Sequence, residues 1–486
     1  MKKRFKMPSA FSVLMLITLV VAGLTWIVPA GQYQTNEDGG AIAGTYESIA
    51  QNPQGAWEVV QAPLKGFTNA LDVCLFVIVI GGFLGIVMKT GAIDAGIGSL
   101  IKKLKGRESI MIPILMTVFA LGGSTYGMAE ETIAFYPILI PIFIAAGYDA
   151  LVAVAVILLG AGVGVLASTV NPFATGVASG IAGVSVGDGM LFRVVMLVVV
   201  LVAAIFYVMK YAAKVKADPS KSLIADKKEE NEKHFLKASA EEMPELTGKR
   251  KAVNTLFIIT FIIMIMGVMP WEDFGVTFFG DMNAKLAALP ILGGTVQMGW
   301  WWFTELAMLF LVSGVIIGIV GGLKEEEISD SFVAGAKDLL GVALIIGTAR
   351  GISVVMDAGG MTATVLNMGE VGLSGMSSVL FTNLAFLFYI PMSFLIPSTS
   401  GLATLSMPIM APLAGFADVS SAMIITAFQS AEGIVNLLTP TSGVVMGALA
   451  LGRVSYGKWL KFVMPFIIIL MVVVMAMLTA GVSLGM

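Results

Sequence analysis

A single cysteine, Cys74, and a single histidine, His234, stand in this 486-residue chain. One thiol closes no intrachain disulfide and builds no metal site by itself. His234 falls in a polar stretch, so His-based catalysis has no footing in the apolar segments. Those segments also hold no protease dyad and no metal-ligand cluster, which argues against an intramembrane enzyme. Charge is scarce too: Asp, Glu, Lys and Arg make up 13% of residues, against about a quarter in a soluble domain. The net charge of −3 says nothing about nucleic acid, but no basic patch exists outside the loops, so no nucleic-acid partner is expected. What remains is apolar, 57% of residues with a mean hydropathy of +0.92. Many runs approach the ~20 residues with which a helix crosses a bilayer. The chain reads as an all-α polytopic membrane protein surrounded by lipid.

Lys and Arg collect in cytoplasmic loops, which orients the crossings. The basic start with Lys2, Lys3, Arg4 and Lys6 places the N-terminus inside, and Phe11 to Val28 reads as a retained first helix. The loop from Pro29 to Gly66, with Glu37, Asp38, Glu47 and Glu58 against Lys65, is external. A second helix, Val73 to Met88, returns to Lys89, Lys102, Lys103, Lys105 and Arg107. The polar linker Lys210 to Lys251 is also inside and reads as a solvated connector. Two apolar limbs between these, Ile110 to Leu121 and Thr132 to Ala146, are each too short to span. They form a re-entrant hairpin turning at Gly122 to Ala129, in "GGSTYGMAEETIAFYP". Non-helical backbone at that depth is tolerated only where protein or a water-filled cavity covers it.

An internal repeat supports this reading. "IVMKTGA" (86–92) matches "VVMDAGG" (354–360), "STYGMAEETIAFYPILIP" (124–141) matches "STSGLATLSMPIMAP" (398–412), and "STVNPFATG" (168–176) matches "NLLTPTSG" (436–443). Each unit holds three crossings and a re-entrant hairpin, and an odd count lets the copies insert with inverted topology. The expected division is 1–66, first helix and external loop; 67–209, repeat 1 with hairpin 1; 210–252, cytoplasmic linker; 253–331, scaffold helices; 332–486, repeat 2 with hairpin 2, near Leu380 to Phe416. At Asn171-Pro172 and Thr439-Pro440 a capping residue precedes a proline suited to the first helical position, so each unit also carries an interrupted transmembrane helix. Ser124-Thr125 and Ser398-Thr399 sit just before the returning hairpin limbs. Four helix N-termini then point at one midplane site, an arrangement that favours carboxylates and marks transporters.

Ionisable groups at membrane depth are costly and functional by default. The acids so placed are Glu130, Glu131, Glu305 and Glu432, with Asp357 nearer the outer rim. Glu305 follows the aromatic Trp301 to Phe303 and belongs at the rim. Glu432 either neutralises Arg350 as a structural pair or faces the site, and Arg193 and Lys337, close to helix ends, snorkel. Several acids against one deep arginine favour a cationic solute.

"GGSTYGMAEETIAFYP", "STVNPFATG", "PSTSGLATLSMPIMAPLAGF" and "LTPTSGVVMGALALGR" resemble the anaerobic dicarboxylate-carrier-type family of the ion transporter superfamily, and within it the arginine/ornithine antiporter branch. The likeness runs from "FKMPS" to the final helix. It implies a bacterial cytoplasmic-membrane homodimer with an elevator-type alternating-access cycle. It also implies Ser/Thr/Asn-rich tips that bind a substrate carboxylate and, in some members, sodium; no other cofactor is implied. On this chain those positions are Ser124, Thr125, Ser398, Thr399 and Ser400 at the tips, with Asn171, Asn436, Thr439, Thr441 and Ser442 at the breaks. With Glu130, Glu131 and Glu432 they form the expected binding set for a basic amino acid. A sodium- or proton-coupled carboxylate or peptide symporter of the same fold is the competing reading.

Overall fold

Glycine sets how closely the longest helix is embraced. In the computed structural model, which describes residues 10–35, 41–42, 44–96, 99, 108–236, 244–268, 271–289 and 294–486, seven helices of the described residues are long and apolar enough to cross a membrane. The basic residues Lys2, Lys3, Arg4, Lys6, Lys102, Lys103, Lys105 and Arg107, and the acids Glu37 and Asp38, lie outside the described residues. Glu325–Ala358, 34 residues long, packs along Leu71–Lys89 and Ala56–Asn69. At the first crossing a Cβ on Gly335 would lie 2.1 Å from the Gly81 carbonyl oxygen. At the second, a Cβ on Gly66 would lie 2.3 Å from the Gly347 oxygen. Small residues let backbones meet where lipid removes the usual hydrophobic drive for helix association. Phe303–Gly321 and Gly248–Val268 complete this body, with Phe83, Phe257, Phe261 and Phe310 packed ring to ring between them.

The helix Ala56–Asn69 corrects the expectation of a loop from Pro29 to Gly66. Pro63 and Lys65 disguise it, yet Val59, Ala62 and Gly66 form one buried stripe at helical spacing. The rest of that segment includes a two-stranded ribbon pairing Gly31 with Ser48 and Gln32 with Glu47.

The second body is built around Ala150–Leu166, buried on nearly every side. Met111–Tyr126 runs parallel to it, since Met116 meets Gly160 and Ala120 meets Gly164. Between the two, the chain returns as a 3-10 turn Glu130–Phe135 followed by Tyr136–Ala145. Both feet of this hairpin lie at one end of Met190–Ala217: Lys216 is 3.0 Å from Glu108, and Tyr211 donates to Asp149 at 2.8 Å. The incoming limb extends to Tyr126, so the turn is shorter than the expected Gly122 to Ala129 and pivots on Gly127 at φ 76°. A second helix–break–helix runs Ser378–Leu395 to Thr399–Phe416, and Ser421–Val435 packs between it and Ala150–Leu166.

The linker is not simply solvated. Its helix Lys228–Phe235 buries Asn231, and Ile224 is buried beside it. Arg453 pairs with Glu230, and Lys458 with Asp226, whose carboxyl that ammonium holds below the usual range. These pairs dock the linker onto the turn after Gly443–Leu451 and the start of Tyr456–Ser483.

Candidate functional site

Two stretches of backbone leave helical geometry inside the second body, and side chains satisfy the freed groups. At the first, after Leu166, Ser124 Oγ donates to the Ala167 oxygen at 3.1 Å, and Thr169 N–H donates to the Ser124 carbonyl at 2.9 Å. Gln429 Nε2 donates to the Ser168 oxygen at 2.8 Å, and Thr175 donates to Gln429 Oε1 at 2.9 Å. Asn171 Oδ1 accepts from the N–H groups of Phe173 and Ala174. The turn it opens, Pro172–Gly176, is π-helical rather than the expected α-helix. At the second break, after Val435, Tyr456 and Trp459 donate to the carbonyls of Leu438 and Leu437. Unpaired backbone polar groups at this depth would each cost several kcal/mol.

The second break differs from expectation in its cap. Thr439 does not start a helix on Pro440; it bonds Thr441 at 2.8 Å within a turn closed by Ser442 N–H on the Thr439 carbonyl. Ser442 is the N-cap, and the helix is Gly443–Leu451. Likewise Ser124 and Thr125 belong to the last turn of the incoming limb, not to the start of the returning one. No side chain caps that start among the described residues; Glu131, in its first turn, accepts from Ala129 N–H through Oε2 at 3.0 Å. Ser398 caps Thr399–Phe416 as expected, through Gly401 N–H.

The three capping residues, Asn171, Ser398 and Ser442, line one cavity of about 180 Å³ together with Glu131. Glu130, Thr399, Ser400, Asn436 and Thr441 also line it. Four members of the expected set stand elsewhere. Ser124 is buried in the tie to the first break, Thr125 bonds back to Leu121, and Thr439 faces its own turn. Glu432 lies behind the wall, fully buried, with Oε1 accepting from Thr399 Oγ1 and, at 2.7 Å, from Asn436 Nδ2. Its Oε2 has no partner among the described residues. Glu432 thereby ties a hairpin tip to a break, and it makes no ion pair with Arg350 among the described residues.

Arg350 instead lines the cavity, reached from the first body together with Val73, Ile346 and Trp302. The binding set omitted it, along with Phe173 and Trp302, whose rings meet edge to face at 4.5 Å. Trp302 is 43% exposed and marks the mouth; Glu305 behind it caps its own helix through Trp302 N–H. Arg193 does not snorkel. It is wholly buried and donates to the carbonyls of Thr169 and Val186, with Nε and Nη1 unpartnered among the described residues. Gln429 was silent in the sequence because a lone amide in an apolar run announces neither partner. No cluster of His, Cys, Asp or Glu able to hold a metal occurs among the described residues.

Comparison with known proteins adds the relatives. A family profile described as the C4-dicarboxylate anaerobic carrier, DcuC, matches residues 7–483. An uncharacterized protein of Haemophilus influenzae is 34% identical over 529 residues, covering 99% of this chain and 98% of its own. An Escherichia coli K12 protein named "Putative basic amino acid antiporter YfcC" is 30% identical over 503 residues, covering 94% of this chain and 93% of its own. Among solved structures, the Alcanivorax borkumensis YdaH transporter aligns over 98% of this chain and 99% of its own, at 14% identity and a TM-score of 0.45.

Proposed function

The chain belongs to the C4-dicarboxylate anaerobic carrier family and is a non-enzymatic membrane carrier, and from that premise we propose that it exchanges basic amino acids, arginine for ornithine. The observation that carries this reading is that Glu130 and Glu131 both line a cavity whose lining, among the described residues, holds one basic side chain, Arg350. The substrate's cationic side chain and α-ammonium meet those carboxylates. Its α-carboxylate takes the hydroxyls of Ser400, Thr441 and Ser442 and the first-turn N–H groups that single-residue caps leave over. Arg350 neutralises part of the acid charge when the cavity is empty and yields it to the substrate. The name of the Escherichia coli relative accords with this choice of solute.

Inverted repeats in an elevator cycle, a homodimer, and an inner-membrane setting with the N-terminus inside complete the proposal. The body bearing both breaks moves, and the body of Glu325–Ala358 stays. An empty site with unneutralised acids crosses the bilayer slowly, which makes exchange obligatory. Liposomes loaded with ornithine or left empty test this, with labelled arginine outside and with or without a sodium gradient. Uptake confined to loaded vesicles is the expected result. Glu130→Gln with Glu131→Gln then raises the arginine KM at least about tenfold, because hydrogen bonds to charged groups contribute about 1.5–3 kcal/mol. Unchanged arginine kinetics in that variant would falsify the assignment.

Arg350 at the cavity wall, with the dicarboxylate solutes for which the family is described, favours a second reading: a cation-coupled carboxylate symporter. Sodium-driven uptake, competed by dicarboxylates and not by arginine, selects it.

A further inference from the structure

Far from the transport cavity, the docked linker closes a second one. It measures about 320 Å³ and lies between the foot of the first hairpin, the end of Met190–Ala217 and the helix Lys228–Phe235. Its apolar wall comes from Ile144, Ala150, Val215, Pro219 and Ile224. Asp149, which also lines it, is saturated: its oxygens accept from Val152 N–H, Tyr211 OH and Ser222 Oγ. Asn231 is the opposite case. It is 3% exposed and lines the cavity, yet its Oδ1 has no hydrogen-bond partner among the described residues. A buried acceptor left unmade costs about 1–3 kcal/mol, so a donor belongs there. One turn before and one residue after it stand Lys228 and Glu232, loosely paired at 3.8 Å and both lining the same space. Lys216 lines it as well, lying over the Tyr148 ring at 5.0 Å and paired with Glu108 at 3.0 Å, a partner it would share with an incoming anion.

We propose that this linker cavity binds a small zwitterion carrying an oxyanion and a primary ammonium. The oxyanion inserts at Lys228 and Lys216. The ammonium donates to Asn231 Oδ1 and to Glu232, and a short carbon chain lies on the apolar wall. A free amino acid and the ethanolamine headgroup of a phospholipid share this chemistry. The linker is fastened to the second half of the chain by Arg453 and Lys458, while Tyr148 and Asp149 are the foot of the first hairpin. Occupancy therefore ties that hairpin to the opposite half, which makes the cavity a regulatory site.

The test is hydrogen exchange of residues 219–235 in the purified full chain, with alanine, phosphoethanolamine or phosphocholine added. At a probe concentration about ten times its Kd, exchange through opening of the docked linker slows about tenfold. Phosphoethanolamine is expected to slow it, and phosphocholine, which has the same oxyanion but no N–H donor, is not. Slowing by alanine as well assigns the site to free amino acids, and slowing by phosphoethanolamine alone assigns it to the headgroup. Asn231→Leu, which fills the space without an acceptor, should abolish the effect, and Asn231→Asp should keep it. No slowing by either ammonium compound, equal slowing by phosphocholine, or undiminished slowing in Asn231→Leu overturns the proposal.

Discussion

Gln429 is the side chain on which the first break depends, and its replacement by Leu tests that claim. The substitution keeps the volume and removes two buried hydrogen bonds, Nε2 to the Ser168 oxygen at 2.8 Å and Thr175 Oγ1 to Oε1 at 2.9 Å. Buried side-chain hydrogen bonds in membrane bundles average about 0.6 kcal/mol and reach about 1.7. Two of them, with Ser168 and Thr175 left without strong replacements, come to about 1–3 kcal/mol. At about 2–4 °C per kcal/mol for chains half this size, and correspondingly less here, melting should fall by roughly 2–6 °C. The loss is local as well as global. Ser168 Oγ holds the amide of Asn171, so loosening that turn displaces Asn171 and Phe173 from the cavity wall. Thermal unfolding in detergent and uptake kinetics in liposomes read the two effects, and a higher KM should accompany the lower melting temperature. If Gln429→Leu melts with the wild type and carries solute with the same KM, the break is held by its backbone alone and the reasoning is wrong.

Two further experiments probe the same wall. Gly127→Ala places a Cβ 2.6 Å from Asn171 Oδ1 at a φ of 76°, which costs an L-residue about 1–2 kcal/mol before the clash. Turnover should fall more than expression, and full activity would show the hairpin turn to be adjustable. Phe173 and Trp302 join the two bodies by an edge-to-face contact worth about 0.5–1.5 kcal/mol. A double-mutant cycle with Phe173→Leu and Trp302→Leu on the substrate KM should give a coupling of that size, and strict additivity would remove the pair from the cavity's closure.

Much of the membrane-embedded chain was legible because periodicity is not needed to recognise it: long apolar runs suffice. Both breaks were legible from Asn171-Pro172 and Thr439-Pro440, where a capping residue stands directly before the proline; Pro63, Pro141, Pro391, Pro408, Pro412 and Pro465, which lack one, lie inside helices. The exact caps were not, because Thr439, Thr441 and Ser442 are chemically equivalent candidates and only the turn's closure selects Ser442. The helix Ala56–Asn69 was read as loop because its single buried stripe is short and carries Pro63. The linker's docking depends on Arg453 and Lys458, more than two hundred residues from their partners.

Composition alone determined that this chain lives in a bilayer, and local motif chemistry determined where its helices stop. Which stopped ends share a cavity was decided by tertiary structure. The bringing of Arg350 and Trp302 to Glu130 and Glu131, and the withdrawal of Glu432 behind Thr399 and Asn436, follow from how two helical bodies abut. The physical reason is that capping and hydropathy act within a few residues of the chain. Contacts across a cavity depend instead on glycine-mediated approach between helices far apart in sequence, which no local pattern records.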